Sequence, residues 1–280
     1  MALRRRAPTP RNRQPSHLPM TYQRLSLTFD GPVAVLTLQH PEVMNAIGAR
    51  MLGDLQRAVV ELADPARGAR CLLITGAGTA FCTGANLADP DRDVTAGAGA
   101  TLRAGYHPLL LALRDLDMPI VSAVNGAAAG VGMSLAIMAD MVCASKNAYF
   151  LQAFARIGLV PDGGATFLLP RLIGWGRAME LSLLAEKLPA DKALDWGLVN
   201  RLYDDPAALM DGAMGIARQL ANGPRSLALI RRAYWESTRN SYEQQLDQEA
   251  RLQIQAGQSA DFKEGVAAFR EKRPARFSGQ

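Results

Sequence analysis

The residues best suited to chemistry are small ones, Ala127, Ala128, Ala129, Gly130, Val131 and Gly132, set between a β-branched run and an apolar stretch. Ahead of them, Pro119 and then Ile120 to Val124 predict a buried strand, and Asn125-Gly126 a turn. Behind them, Met133, Leu135, Ala136, Ile137 and Met138 predict an apolar helix. A chain that passes from a strand through small residues into a helix start leaves backbone N–H groups unpaired and backed by the helix dipole. Such a place holds negative charge, either a phosphate or an oxyanion formed during a reaction. An ordinary tight strand-to-helix turn would use the same residues.

A second segment of similar character lies upstream, Cys71 to Leu87. An apolar strand ends at Thr75, and a loop punctuated by Gly76, Gly78 and Gly84 follows. Gly76 and Gly78 sit as in a dinucleotide fingerprint, but Phe81 occupies the third glycine position and no helix opens there. No lone acid ends a second strand about 20 residues on, as a ribose contact would need. The dinucleotide reading is weak on both counts.

Together the two segments resemble the crotonase (enoyl-CoA hydratase/isomerase) superfamily, and the resemblance runs from about Tyr22 to Phe277. His40-Pro41-Glu42-Val43-Met44-Asn45-Ala46 is similar to the family's early signature, and Phe81-Cys82-Thr83-Gly84-Ala85-Asn86-Leu87 to its F-C-x-G-x-D-L. Ala123-Val124-Asn125-Gly126 with Gly130 and Gly132, then Gly158-Leu159-Val160-Pro161-Asp162-Gly163-Gly164, then Phe262-Lys263-Glu264-Gly265 to Phe269 complete five motifs in order. The closest motif likeness is to the enoyl-CoA isomerases and to the epoxyphenylacetyl-CoA isomerases.

The resemblance implies an α/β fold, a crotonase-like spiral of ββα units with a helical C-terminal module. It also implies an acyl-CoA thioester substrate, with CoA carried on the substrate and no separate cofactor or metal. Two backbone N–H groups, falling on Ala85 and Val131, would bind the thioester oxygen. Val43, Met44 and Leu87 would surround the adenine, and Phe269 and Lys272 on a late helix would cover a neighbouring site and meet CoA phosphates. The basic end of that helix, with Arg273, reads equally as a solvated surface.

The acid/base group selects the reaction. Hydratases of the family hold water between two glutamates, whose positions here carry Ser134 and Phe154. Neither side chain takes up or gives up a proton near neutral pH. Asp162 remains, where family members that move a double bond carry a single acid. Pro-Asp-Gly is also a turn sequence in its own right. Ser134 either hydrogen-bonds substrate or simply follows the helix start, and Asn86 replaces the usual aspartate while keeping a local hydrogen bond. The expectation is double-bond isomerisation of an enoyl-CoA. Its rivals are a hydratase with nonstandard groups and a catalytically silent acyl-CoA-binding protein.

Certain elements must position these groups. Leu25–Phe29 and Val33–Leu38 predict a hairpin about Asp30-Gly31, and Ile47–Ala63 a helix. The small, glycine-rich stretch 88–99 reads as a mobile loop, and 102–116 as a helix with Pro108 near its start or at a kink. Further strands are expected at 120–124, 141–144, near Phe150 and at 199–203. From Pro206 the chain reads as helical, broken at Asn222-Gly223-Pro224 and near Gly257. The domain reading is a disordered Arg/Pro-rich tail over 1–19, a core over 20–205, and a helical oligomerisation module over 206–280 that builds homotrimers or pairs of trimers.

Composition narrows the rest. At 280 residues and 49% hydrophobic, the chain can bury a large core. The net charge of +5 comes from Arg4, Arg5, Arg6, Arg11 and Arg13 before Met20; beyond them 26 basic residues meet 26 acidic ones. With Pro8, Pro10, Pro15 and Pro19 among them, these arginines read as a dispensable tail, an extension upstream of a start at Met20, or a targeting or nucleic-acid arm. The first is favoured, so no nucleic-acid partner is expected. No apolar run reaches membrane-span length. Cys71, Cys82 and Cys143 form no C-x-x-C pair and read as reduced core thiols of a cytoplasmic protein. His17, His40 and His107 show no pairing and read as structural or solvated.

Overall fold

The computed structural model describes residues 20–91 and 97–280. The segment expected as a tail lies outside them, as does the middle of the loop expected over 88–99.

The chain opens with the hairpin β1 (Leu25–Asp30) and β2 (Val33–Leu38), paired antiparallel in one register throughout. Helix α1 (Ala49–Ala63) buries Met51, Leu55, Ala58, Val59 and Leu62, the spacing of a single helical face. It starts two residues later than the periodicity suggests, because Ile47 bridges Ala85 instead. Strands then come in pairs. β3 (Cys71–Gly76) is followed by β4 (Ala80–Cys82), β5 (Ile120–Val124) by β6 (Ala127–Ala129), and β7 (Met141–Ser145) by β8 (Tyr149–Leu151). Between the first two pairs run α2 (Gly97–Thr101), a π-helical turn Leu102–Tyr106 and α3 (His107–Arg114). Helix α4 (Val131–Ile137) separates the second pair from the third.

The first strand of each pair joins one sheet and the second joins another. The larger sheet has the order β1-β2-β3-β5-β7-β10, and the smaller β4-β6-β8-β9. Each step between neighbouring pairs is parallel in both sheets. This is the expected spiral of strand–strand–helix units. After β8 come α5 (Ala165–Ile173), α6 (Trp175–Leu184), β9 (Leu188–Pro189), α7 (Ala190–Asp195) and β10 (Arg201–Tyr203). Four helices close the chain: α8 (Pro206–Ala221), α9 (Ser226–Ser237), α10 (Tyr242–Gly257) and α11 (Ala260–Glu271).

Both faces of the larger sheet are covered, which explains the unbroken apolar runs in β3 and β5. One face meets α1, α3 and α4 in the main core, and the other takes Leu209, Ala213, Ala217 and Ala221 of α8. Arg231 ties α9 to this core. Its Nε donates to both carboxylate oxygens of Asp140, at 2.9 and 2.8 Å, and its other nitrogens donate to the carbonyls that end α3, including Leu116 O at 3.1 Å. Breaking such a buried pair from one side is costly, about 3–5 kcal/mol.

Three local expectations need correction. The small residues 127–129 form a strand, because β4 and β8 flank that backbone and supply ladder partners on both sides. Helix α4 therefore opens at Val131 and not at Met133. Gly97–Gly99 lie in α2, outside any loop.

Candidate active site

β4, β6 and β8 are neighbours running parallel, so the loops that follow them leave the smaller sheet at the same end. Those loops carry Gly84-Ala85, Gly130-Val131 and Gln152 to Phe154. Gly84 has φ +98, and a Cβ there would lie 3.0 Å from Ala129 O and 3.6 Å from Val131 N. Only glycine lets the two loops approach so closely. Ile47 N–H donates to Gly84 O at 2.7 Å and Asn86 N–H to Ile47 O at 2.9 Å, a bridge that turns the intervening Ala85 N–H the other way. Among the described residues neither Ala85 N nor Val131 N has a hydrogen-bond acceptor. Val131 is the first residue of α4, where a free N–H is inherent to the helix start. Two unpaired donors on touching loops, one of them at a helix N-terminus, suit a developing oxyanion.

The carboxylate comes from the other side of α4. Asp162 precedes α5, and its carbonyl accepts from the Ser134 hydroxyl at 2.9 Å and from Ala165 N–H at 3.1 Å. The next residue, Gly163, has φ +61, and a Cβ there would lie 2.7 Å from Ser134 Cβ and 3.1 Å from Val131 Cγ2. The Asp162 backbone is thus bolted to the first turn of the helix that carries the Val131 donor. One carboxylate oxygen of Asp162 is buried with no hydrogen-bond partner among the described residues. That burial pushes its pKa up to about 6, partly opposed by the charge of His107.

Ser134, for which a substrate bond and a plain place at the helix start were both open, has a partner within the fold. Its side chain is fully buried, and its one proton goes to the Asp162 carbonyl. Phe154 is buried and its Cζ lies 3.8 Å from where a Gly130 Cβ would be, so an aromatic ring backs the donor loop at the second glutamate position.

Val43, Met44 and Leu87 lie at the edge of the donor loop. Thr83 N–H donates to Met44 O at 3.2 Å, and both Met44 and Leu87 are about half exposed at 52%. Asn45, fully buried, explains the early signature: its Nδ2 donates to Ala77 O and Ala80 O, each at 2.8 Å, pinning that turn beneath β4. Asn86 keeps a local bond, accepting from Ala88 N–H at 3.1 Å. A cavity of about 350 Å³ opens beside Val43, Asn86 and Asp89.

Phe269 and Lys272 are not brought here. They end α11, whose following segment packs on Arg70 just before β3, at the opposite end of the sheet from Ala85. The three cysteines are buried free thiols, and burial pushes Cys71 and Cys82 up to about 12 and Cys143 to about 11, far from nucleophilic. Among the described residues no group of three or more His, Cys, Asp or Glu could hold a metal, and no helix is long and apolar enough to cross a membrane.

Sequence reasoning read His107 as structural or solvated. It stands at the first position of α3 and lines, with Gly163, Gly164 and Phe167, a cavity of about 610 Å³ between α3, α5 and α9.

Comparison with known proteins shows the family to which the chain is similar. A family model described as Enoyl-CoA hydratase/isomerase matches residues 28–280. A Rhodobacter capsulatus protein named "Probable enoyl-CoA hydratase" is 43% identical over 263 residues, 93% of this chain and 100% of that one. The 1,2-epoxyphenylacetyl-CoA isomerase of Escherichia coli is 42% identical over 254 residues, 89% of this chain and 95% of that protein. The crystal structure of an enoyl-CoA hydratase from a Polaromonas species superposes with a TM-score of 0.84 at 32% identity, covering 91% of this chain and 99% of that one.

Proposed function

The chain belongs to the enoyl-CoA hydratase/isomerase family, the crotonase superfamily, and from that premise we propose that it isomerises an enoyl-CoA through one carboxylate, Asp162. The observation that carries this reading is the desolvated Asp162 carboxyl on a loop packed against the helix that starts with the Val131 donor. The Asp162 carboxylate takes a proton from C2 of a 3-enoyl-CoA. The electron pair left behind delocalises onto the thioester oxygen, where the Ala85 and Val131 N–H groups stabilise it, each worth about 3–4 kcal/mol in such sites. The protonated Asp162 then delivers the same proton to C4, the double bond moves to C2–C3, and the carboxylate is restored. A carboxyl pushed up to about 6 is ionised at neutral pH yet basic enough for the first step. With Ser134 and Phe154 at the two glutamate positions, no pair of acids is left to hold a water.

The substrate brings its own CoA, so the reaction needs no separate cofactor. Val43, Met44 and Leu87 receive its adenine end. Residues 206–280 build homotrimers, single or paired, and within them Phe269 and Lys272 reach a neighbour's site; their distance from Ala85 in the single chain supports that arrangement. The three buried free thiols support a reducing compartment, the cytoplasm. Kinship with the Escherichia coli enzyme makes an aromatic epoxyacyl-CoA a second substrate to try.

The test supplies 3-enoyl-CoA and 2-enoyl-CoA separately in heavy water and follows products by mass spectrometry. Double-bond migration without hydroxyacyl product is expected, and D162N should lower turnover by about 10²–10⁴-fold while still binding CoA. Rapid hydration of the 2-enoyl substrate would overturn the reading in favour of a hydratase, the activity in the Rhodobacter relative's name. Unchanged turnover in D162N would remove Asp162 from the mechanism.

A further inference from the structure

We propose that the cavity between α3, α5 and α9 receives the substrate's acyl tail, and that this tail is uncharged and apolar and runs well past C4, as a hydrocarbon chain or an aryl-ended one. The inference deepens the acyl-CoA reading of the site and rests on it.

Helix α4 sets the order of groups along the substrate. Val131, Ser134 and Met138 stand at positions i, i+3 and i+7, so they share one face. Val131 opens the helix with the proposed oxyanion donor. One turn on, the Ser134 hydroxyl donates to the Asp162 carbonyl at 2.9 Å and holds the loop of the base. Met138 then lies on the cavity wall together with Gly163 and Gly164, the two residues after Asp162. One face of α4 thus carries, in sequence, the place for the thioester oxygen, the Asp162 loop and the cavity. At a rise of about 1.5 Å per residue, Met138 lies about 10 Å beyond Val131. Four carbons joined by bonds of about 1.5 Å span no more than about 5 Å. A short acyl group therefore stops at the Asp162 loop, and only a longer one enters the cavity.

The wall suits an apolar occupant. Leu110 of α3, Phe167 and Leu168 of α5, and Ala228 and Trp235 of α9 line it. Its volume of about 610 Å³ falls in the range of small-molecule sites, about 300–1,000 Å³. A second cavity of about 400 Å³ adjoins it across Phe167, Leu168 and Trp235, so the apolar space continues between α5 and α9. The arginines on the wall do not call for an anionic tail. Arg114 is paired with Asp115 at 2.7 Å, Arg231 with Asp140 at 2.8 Å and Arg232 with Asp117 at 3.7 Å, while Arg239 shares the wall with Glu236. Among these groups positive charge has no surplus, so a tail ending in a carboxylate gains nothing to offset its desolvation.

The experiment measures binding to the full chain by calorimetry, with butyryl-CoA, decanoyl-CoA, 4-phenylbutyryl-CoA and the carboxylate-ended adipyl-CoA. Decanoyl-CoA should bind about 10-fold or more tighter than butyryl-CoA, because each further methylene leaves water. Adipyl-CoA should gain no such advantage. Whichever of decanoyl-CoA and 4-phenylbutyryl-CoA binds tighter distinguishes a linear from an aryl tail. W235A and L110W alter the wall from opposite sides, one removing contact and the other filling space. Each should weaken decanoyl-CoA binding about 5-fold or more beyond any loss for butyryl-CoA. The kcat/KM values of 3-enoyl-CoAs should follow the same order of tails. Equal affinity for butyryl-CoA and decanoyl-CoA, a preference that neither variant reduces, or tightest binding of adipyl-CoA would overturn the proposal. A decanoyl preference reduced by the variants, in a protein showing no double-bond migration, would sink the isomerase reading and leave the cavity's role standing. A protein that binds none of the four thioesters would overturn both.

Discussion

At the scale of single residues, the site depends on a carboxyl kept in an environment it does not favour. Asp162 is pushed up to about 6 mainly by burial. Its folded pKa exceeds its unfolded one, so the folded state binds the proton more tightly. Stability from this group is therefore fullest below the ordinary carboxylate pKa and is lost as pH rises through about 6. D162N, which is neutral throughout, should then be more stable than the wild type at pH ~7.5 by roughly 1–2 kcal/mol, allowing for partial exposure of the site. The gain should vanish near pH ~4, where both side chains are neutral. Chemical denaturation at the two pH values measures this, and equal stability of the two proteins at both would mean that the carboxylate is well solvated. Ser134 shows the same economy of parts. A short hydroxyl in place of a carboxylate leaves room for the Asp162 loop and fastens its carbonyl.

At the scale of elements, the donors exist because two loops leave adjacent parallel strands and touch. The contact rests on Gly84, which combines a left-handed φ of +98 with 3.0 Å to Ala129 O from the place a Cβ would occupy. G84A should therefore force the β4 and β6 loops apart. The expected cost is about 1–3 kcal/mol in stability, the range for strained backbone. Under the proposed mechanism turnover should fall further, by about 10-fold or more, as one donor leaves the place proposed for the oxyanion. Thermal unfolding together with kcat measures both. A protein that loses stability but keeps kcat would show that the loop contact is not needed for chemistry. The buried free thiols of β3, β4 and β7 have no such role; they are small apolar side chains in packed strands.

At the scale of the whole molecule, the C-terminal helices present apolar side chains that the single chain leaves uncovered. Leu246 and Ile254 share one face of α10 at 48% and 63% exposure, and Phe269 on α11 is 86% exposed. Under the trimer proposal these faces are buried between copies. The double variant L246E/I254E should then sediment as a monomer while the wild type sediments as a trimer or hexamer. Acyl-CoA binding should weaken in parallel, because Phe269 and Lys272 would no longer reach a neighbour. A wild-type monomer in analytical ultracentrifugation would remove both statements.

Much of this was legible in the chain. The hairpin, the core strands at β3, β5 and β7, and the helical run after Pro206 follow from local periodicity and turn chemistry, which depend on near neighbours. The candidate donors and Asp162 were readable because motif order survives in sequence. Tertiary structure alone decided that Ala127–Ala129 form a strand, since alanine has little preference for one and its ladder partners are distant in the chain. It alone turned Ser134 toward the Asp162 carbonyl. That bond joins residues 28 positions apart, and hydrogen bonding acts through space, where sequence spacing carries no distance.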